Sequence, residues 1–259
     1  MHCHLLPGID DGPATMDEAL RLATVLHAQG VTVVAATPHV SHAFPNSRTD
    51  IVRAVDRLRE GLADAAVPVK VVASAELSAS AALDLDPREL EAHSLGGLHL
   101  LVEPPLEGDL AALQAMTSAV YAAGFNPVVA HPERMTHVRR APDCLLALRD
   151  SGVIFQVTAS SLVGRRRRSR DVAWVLVEKR ISTVVASDAH GATRRPPALA
   201  AARELLVARL GLAWADHVTQ AVPGALVLGG TMPTDPPPAE PVGRTTRRFR
   251  LRSLGARHT

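Results

Sequence analysis

The stretch TMDEALRLATVLHAQGVTVVAATPH, Thr15 to His39, carries the pattern that decides the fold. It opens with a hydroxyl at Thr15 and a carboxylate three residues on at Glu18, the capping box that starts a helix. The helix is predicted to run to about Gln29, where Gly30 can adopt the left-handed conformation that stops it. Val31–Ala36 is then a short, apolar, β-branched run, the composition of a strand buried on both faces. His39 follows that strand directly.

The same alternation continues downstream. Helices are predicted over Thr49–Ala66, Leu110–Ala123, Cys144–Asp150, Val172–Lys179 and Ala198–Leu210. Strands are predicted over Val69–Ala73, Leu98–Val102, Pro127–Ala130, Val153–Val157 and Ile181–Ala186. Strands that alternate with helices run parallel and are covered on both faces. With a stub at Met1–His2 there are seven of them, which predicts an α/β fold, a distorted (β/α)7 TIM-like barrel slightly smaller than the eight-stranded form. An open doubly wound sheet would usually carry a glycine-rich first turn, and none is present.

A chain of 259 residues that is 47% apolar can bury one substantial core. The barrel is expected to fill residues 1–230. Pro233, Pro236, Pro237, Pro238 and Pro241, followed by six arginines between Arg244 and Arg257, mark residues 231–259 as a disordered basic tail. A formal net charge of +2 is too small for the whole molecule to bind polyanions, which argues against a nucleic-acid partner. Cys3 and Cys144 form no CxxC pair and are poor evidence for an oxidising compartment. No leader pattern opens the chain and no apolar run approaches ~18 residues, so a soluble cytoplasmic protein is expected.

Function is written in where the ionisable residues fall. His2 and His4 close the first stub, with Asp10 and Asp11 in the next loop. His39, Glu76, Glu103 and His131 follow the second to fifth strands, and Asp188 and His190 follow the seventh. The C-terminal ends of the strands form the catalytic face of a (β/α) barrel. In an extended chain, His-x-His and Asp-x-His place alternate side chains on one side, so both can reach one point. So many acids and imidazoles together would repel or shift their protonation, and metal cations resolve that conflict. The donor mix suits Mn, Fe or Zn, and more than six ligands exceed one ion, so two or three are expected. His27, His93, His99, His137, His217 and His258 fit structural or solvated roles.

The ordered motifs HCHLLPGIDDGP from His2, Thr37-Pro38-His39, Ala75-Glu76, VAHPER ending at Arg134, QVTASSLVG ending at Gly164 and ASDAH ending at His190 resemble the polymerase and histidinol phosphatase (PHP) superfamily. Within it they are most similar to the protein-tyrosine phosphatases of bacterial capsule and exopolysaccharide operons. The resemblance implies a manganese-type cluster on His2, His4, Asp11, His39, Glu76, Glu103, His131, Asp188 and His190, with Glu76 bridging. It implies a phosphomonoesterase in which an activated water attacks phosphorus in line. Arg134 is then the candidate phosphate fork, with Arg194 or Arg195 a second clamp. The implied substrate is a phosphotyrosyl protein, a bacterial tyrosine kinase of polysaccharide export. Histidinol-phosphate or nucleotide phosphatase activity is the alternative, and the basic tail offers peripheral contact with an anionic membrane.

Two departures stand out. Arg165, Arg166, Arg167 and Arg168 replace the small or aromatic residue and glycine usual after Gly164, and should border the mouth of the site. Only Met1 precedes His2, which leaves the first stub almost no ladder and suggests a start further upstream. Competing chemistries fare poorly. A carbamylated-lysine amidohydrolase needs a lysine at a strand's C-terminal end, but Lys70 begins a strand and Lys179 ends a helix. A Cys-x5-Arg phosphatase is excluded, since Ile9 and Asp150 stand six residues after the two cysteines. A degenerate binding protein is disfavoured by the intact ligand set.

Overall fold

The computed structural model describes residues 1–164 and 167–237. Among the described residues there are eight short strands: β1 (Val33–Ala36), β2 (His39–Val40), β3 (Lys70–Ala73), β4 (Glu76–Ser78), β5 (His99–Glu103), β6 (Asn126–Ala130), β7 (Ile154–Thr158) and β8 (Val184–Ala186). All of their pairings are parallel, in the orders β1-β3 and β2-β4-β5-β6-β7-β8. The predicted second and third strands are thus each longer and interrupted. Pro38, which has no N–H to give, separates β1 from β2, while Ser74-Ala75 separates β3 from β4. The resumed pieces matter because His39 and Glu76 are their first residues, paired in register.

The predicted N-terminal stub is held better than its length suggests. Cys3 bridges Ala189, the His2 carbonyl accepts from the Asp188 N–H, and the His4 N–H donates to the Ala189 carbonyl. On the other side, the Cys3 carbonyl accepts from the Thr37 N–H, and the Cys3 N–H donates to Thr37 Oγ1. The expectation that almost no ladder secures His2 and His4 is therefore corrected. Neighbours on both sides fix them.

Twelve α-helices lie among the described residues: α1 (Met16–Ala28), α2 (Arg48–Asp64), α3 (Ala79–Asp84), α4 (Pro87–His93), α5 (Leu110–Ala122), α6 (Thr136–Arg140), α7 (Leu146–Asp150), α8 (Ala159–Val163), α9 (Arg167–Glu178), α10 (Leu199–Leu210), α11 (Leu212–Asp216) and α12 (Val222–Leu228). Thr15 caps α1 by accepting from the Glu18 N–H, as its spacing predicts. α2 begins one residue earlier than expected because Ser47 and Asp50 form a full capping box. Sequence reading passed over α3, α4, α6, α8, α11 and α12. For α4 the signal was present: Asp86 caps it, Pro87 takes the first turn, and Glu89 closes the box.

Strand alternation sorts the apolar residues into two cores. Val34, Ala36, Leu100, Val102, Val129, Phe155, Val157 and Val185 face outward into a large core shared with the helices. Ala35, Leu101, Val128, Ala130, Val184 and Ala186 form a smaller inner cluster, closed at one end by Val222, Leu226 and Val227 of α12. A fully buried Leu or Phe contributes roughly 1.5–3 kcal/mol, so both layers hold the strand ends rigid. Residues 231–237 are irregular and held by Arg180, which donates to the Pro236 carbonyl at 2.6 Å, and by a 3.0 Å His217–Asp235 pair. The remainder of the expected basic tail lies outside the described residues.

Candidate metal centre

The inward-facing positions change character at the C-terminal ends of the strands, where the inner apolar cluster gives way to Glu76, Glu103, Gln156 and Asp188. All nine predicted donors come together there. Glu76 sits at the middle of the set, fully buried. Its Oε2 lies 3.2 Å from His2 Nε2, 3.2 Å from His4 Nε2 and 3.3 Å from His39 Nδ1. Its Oε1 lies 3.0 Å from His131 Nε2, which is 3.7 Å from Glu103 Oε1. Asp11 Oδ1 lies 3.1 Å from His190 Nε2 and 3.6 Å from His39 Nε2. Asp188 Oδ1 is 3.6 Å from both His2 Nε2 and His4 Nε2.

Three candidate metal groups result: His4, Asp11, His39 and His190; His2, His4 and Glu76; and Glu76, Glu103 and His131. Glu76 and His4 each belong to two, the placement a shared ligand requires. The donor chemistry fits a cation. His2 Nδ1 donates to Gln156 Oε1 at 2.7 Å and His4 Nδ1 donates to Asp10 Oδ2 at 2.7 Å, so each ring is oriented with Nε2 facing Glu76, the atom it would offer a metal. Those two nitrogens are 3.3 Å apart and share Glu76 Oε2, so three potential donor atoms converge on one point. Donors about 2.0–2.2 Å from one ion would stand about 3–3.5 Å from each other. Asp11 Oδ1, Glu76 Oε2 and His190 Nε2 are also buried without a hydrogen-bond partner.

Protonation shows the same demand for positive charge. Burial disfavours the His4 imidazolium, but the hydrogen bond to the Asp10 carboxylate and the Glu76 carboxylate 3.2 Å away outweigh it and lift His4 to about 10. Burial likewise opposes ionisation of Glu76 and Asp188. For Glu76 the imidazoles of His2, His131 and His4 outweigh it, and for Asp188 His2, Arg134 and His131 do, so both carboxyls stay well below the usual range. Burial, with His4 and Arg195 beside it, pushes His190 down to about 3.

The backbone contributes too. His131 has φ 34° and Asp188 φ 46°, left-handed conformations uncommon for residues other than glycine. Along β6, Val128 and Ala130 face in while Val129 faces out, so simple alternation would send His131 outward. The left-handed turn brings it to Glu76 instead.

Of the arginines, Arg134 Nη2 donates to Asp188 Oδ2 at 2.6 Å, and Arg195 Nη2 reaches both Asp188 oxygens at 3.0 Å. Arg195 also lies 3.6 Å from Asp11. Arg194 is exposed and makes no contact with this cluster among the described residues, so the second guanidinium is Arg195. Sequence reading missed two supporting residues. Asp10 orients His4 and accepts from the Gly12 and His39 N–H groups, and Gln156 orients His2. A lone polar residue in the apolar run Ile154–Thr158 was the visible signal for Gln156. Glu133, also buried, accepts from the Thr158 N–H and supports the backbone below. Of the expected arginine run, Arg165 and Arg166 lie outside the described residues, whereas Arg167 and Arg168 are exposed at the start of α9. Lys70 is exposed at the start of β3 and Lys179 pairs with Asp143, so neither reaches the cluster.

A parallel α/β fold that gathers imidazoles and carboxylates at its strand ends defines a metal-centre protein. Residues 1–228 match the family model for capsular polysaccharide synthesis, CpsB/CapC, and the chain belongs to that family. It is 29% identical over 198 residues to the tyrosine-protein phosphatase YwqE of Bacillus subtilis (strain 168), covering 75% of this chain and 78% of that one. It is 26% identical over 199 residues to a putative tyrosine-protein phosphatase, CapC, of Staphylococcus aureus, covering 76% and 78%. A solved chain from the crystal structures of YwqE from Bacillus subtilis and CpsB from Streptococcus pneumoniae, described as metal-dependent tyrosine phosphatases, superposes with TM-score 0.80 at 25% identity, covering 93% of this chain and 98% of that one. A dihydropyrimidinase from Brevibacillus agri shares the fold alone, at TM-score 0.56 and 14% identity. No helix among the described residues is long and apolar enough to cross a membrane.

Proposed function

We propose that this chain is a metal-dependent protein-tyrosine phosphatase acting on a tyrosine kinase of polysaccharide export, with two or three manganese ions held in a closed seven-stranded (β/α) barrel. The observation that carries the reading is the trio of histidine–carboxylate groups sharing Glu76 and His4, with two arginines at their open side. Closure of the barrel is supported by residues 2–4, which hydrogen-bond to Thr37 on one side and to Asp188 and Ala189 on the other. Manganese suits the mixed imidazole and carboxylate donors.

His2, His4, Asp11, His39, Glu76, Glu103, His131, Asp188 and His190 would hold the ions. Bound there, the ions would supply Lewis acidity, an activated water nucleophile and neutralisation of phosphoryl charge. The protein's own part is positional. Asp10 and Gln156 orient the rings of His4 and His2, and the left-handed turn at His131 brings its side chain inward. Arg134 and Arg195, both partly exposed, would fork the phosphoryl oxygens and hold phosphorus in line. Neither thiol suits a nucleophile, since burial pushes Cys3 up to about 12 and raises Cys144.

The test is hydrolysis of phosphotyrosyl peptide, phosphoseryl peptide, histidinol phosphate and p-nitrophenyl phosphate by metal-free and Mn²⁺-loaded protein. Mn²⁺-dependent turnover favouring phosphotyrosine, abolished by chelator and indifferent to thiol alkylation, is expected. Chelator-resistant, thiol-sensitive activity, or a preference for histidinol phosphate, would overturn the assignment.

A further inference from the structure

We propose that a basic ridge beside the metal centre docks the acidic sequence flanking the phosphotyrosine of the substrate. This inference rests on the phosphatase reading and extends it to a substrate class, a phosphotyrosyl segment rich in carboxylates. The ridge is built from two elements at the C-terminal ends of the strands. The turn Pro132–Arg134 follows β6 and leads into α6, whose last turn carries His137, Arg139 and Arg140. The helix α9 follows β7 and α8, begins with Arg167 and Arg168, and packs against both α6 and the 132–134 turn. Arg134, the candidate phosphate fork, therefore lies in a turn packed against the two helices that carry the exposed Arg139, Arg140, Arg167 and Arg168.

The fold compensates these charges little: Arg139 donates to Thr136 Oγ1 at 3.0 Å, but no carboxylate meets any of the four directly among the described residues. Arg139, Arg140, Arg167 and Arg168 have no ion pair among the described residues, while Arg170, Arg149 and Lys179 nearby do. The carboxylates around them are engaged elsewhere: Glu107 accepts from Thr136 Oγ1, Asp143 pairs with Lys179, and Asp171 pairs with Arg170. The helix dipole makes the placement less favourable still. The first turn of α9 holds no acid, and cations at a helix N-terminus face its positive end. Like charges held together against the dipole cost stability in the free protein. A polyanionic segment lying along them removes the cost, and the packing of both helices against the Arg134 turn orients that segment toward the reacting phosphate. The partner that fits is a phosphotyrosyl peptide with several carboxylates beside the scissile residue.

The experiment uses the full chain loaded with Mn²⁺ and two phosphotyrosyl peptides of equal length, one flanked by Glu and Asp, the other by Gln and Asn. The wild type should favour the acidic peptide in kcat/KM by about 10- to 100-fold at low salt, the range of electrostatic steering, with the preference collapsing as salt rises. The combined substitution Arg139→Glu, Arg140→Glu, Arg167→Glu and Arg168→Glu should abolish it without changing turnover of p-nitrophenyl phosphate. The corresponding Gln set, a milder change for folding, should give an intermediate loss. Absence of any preference, or equal loss on both peptides, would overturn the proposal. Fluorescence anisotropy of the acidic peptide carrying a non-hydrolysable phosphotyrosine analogue reads docking without turnover. A protein that hydrolyses no phosphate ester but binds this peptide through the ridge would therefore lose the phosphatase reading and keep the docking one. Ridge-dependent binding of phosphatidylglycerol vesicles, with no effect of the substitutions on peptide binding, would replace the peptide by a membrane and refute the inference.

Discussion

Asp10→Asn is the sharpest perturbation of the metal centre, because it changes one atom and removes no volume. Asp10 Oδ2 accepts from His4 Nδ1 at 2.7 Å and from the His39 N–H at 3.2 Å, while Oδ1 accepts from the Gly12 N–H at 2.9 Å. An amide has one acceptor oxygen, so it cannot reproduce that set. If its NH₂ faces His4, the ring must accept at Nδ1 and carry its proton on Nε2, pointing at His2 and Glu76. If its oxygen faces His4, the NH₂ confronts the Gly12 N–H, and a charge-assisted bond becomes a neutral one. Loss of such an outer partner typically weakens metal binding by about 10–100-fold. Metal that binds only the folded chain stabilises it by about 2.7 kcal/mol at roughly 100 times Kd, and a 100-fold weaker site leaves about 0.4 kcal/mol. The difference, roughly 2 kcal/mol, lowers Tm by about 4–9 °C for a chain of this size. Titration calorimetry with Mn²⁺ and melting curves with and without ion are the assays. Each protein is compared with its own chelator baseline, which the lost His4–Asp10 pair lowers in the variant, and the Mn²⁺-dependent rise in Tm should be smaller in the variant than in the wild type. Unchanged Mn²⁺ affinity and an unchanged ion-dependent Tm shift would refute the view that Asp10 sets the donor state of His4.

Glu76→Ala and Asp188→Ala should each lower kcat by at least ~100-fold with little loss of fold in chelator, since both lie at the strand ends above the apolar core; near-normal turnover with full metal content would contradict the ligand set. Arg134→Ala should raise KM and weaken inhibition by inorganic phosphate while retaining metal, because Arg195 still reaches Asp188; loss of metal with unchanged substrate affinity would assign Arg134 to the ion site instead. Deleting residues 238–259 should leave p-nitrophenyl phosphate kinetics unchanged, and a fall in kcat would give the tail a part in the chemistry. His93, buried away from the site, supplies a pH test: burial, with Arg48 nearby, depresses it from 6.5 to about 4. Between those values the unfolded chain binds the extra proton, so stability falls as pH drops from 6.5 toward 4, by roughly 3 kcal/mol. Denaturant titrations of His93→Gln should lose that much less over the same interval, and parallel curves would rule His93 out as the cause.

The residue types and their order were enough to locate the chemistry. Most donors stand just after an apolar, β-branched run, and parallel strands all deliver their C-terminal ends to one face, so His39, Glu76, Glu103, His131, Asp188 and His190 were legible as candidates for that one face. Local composition could not show how the chain bends between those points. Pro38 and the Ser74-Ala75 break split two strands so that His39 and Glu76 pair directly, and the left-handed His131 reverses the parity its strand would give it. Asp10 and Gln156 were readable as residues but not as partners, because their roles depend on contacts 6 and 154 positions away in sequence. The choice between Arg194 and Arg195 was likewise a matter of backbone: Arg195, in a left-handed conformation at φ 52°, is the one that meets Asp188. Helices α3, α11 and α12 are too short for a periodic signal and exist because packing supplies what their length cannot. Periodicity and residue chemistry are local and can be read in one dimension. Register, parity at a strand's end and the partner of a buried polar atom are properties of the assembled strands, so they appear only when the chain is folded.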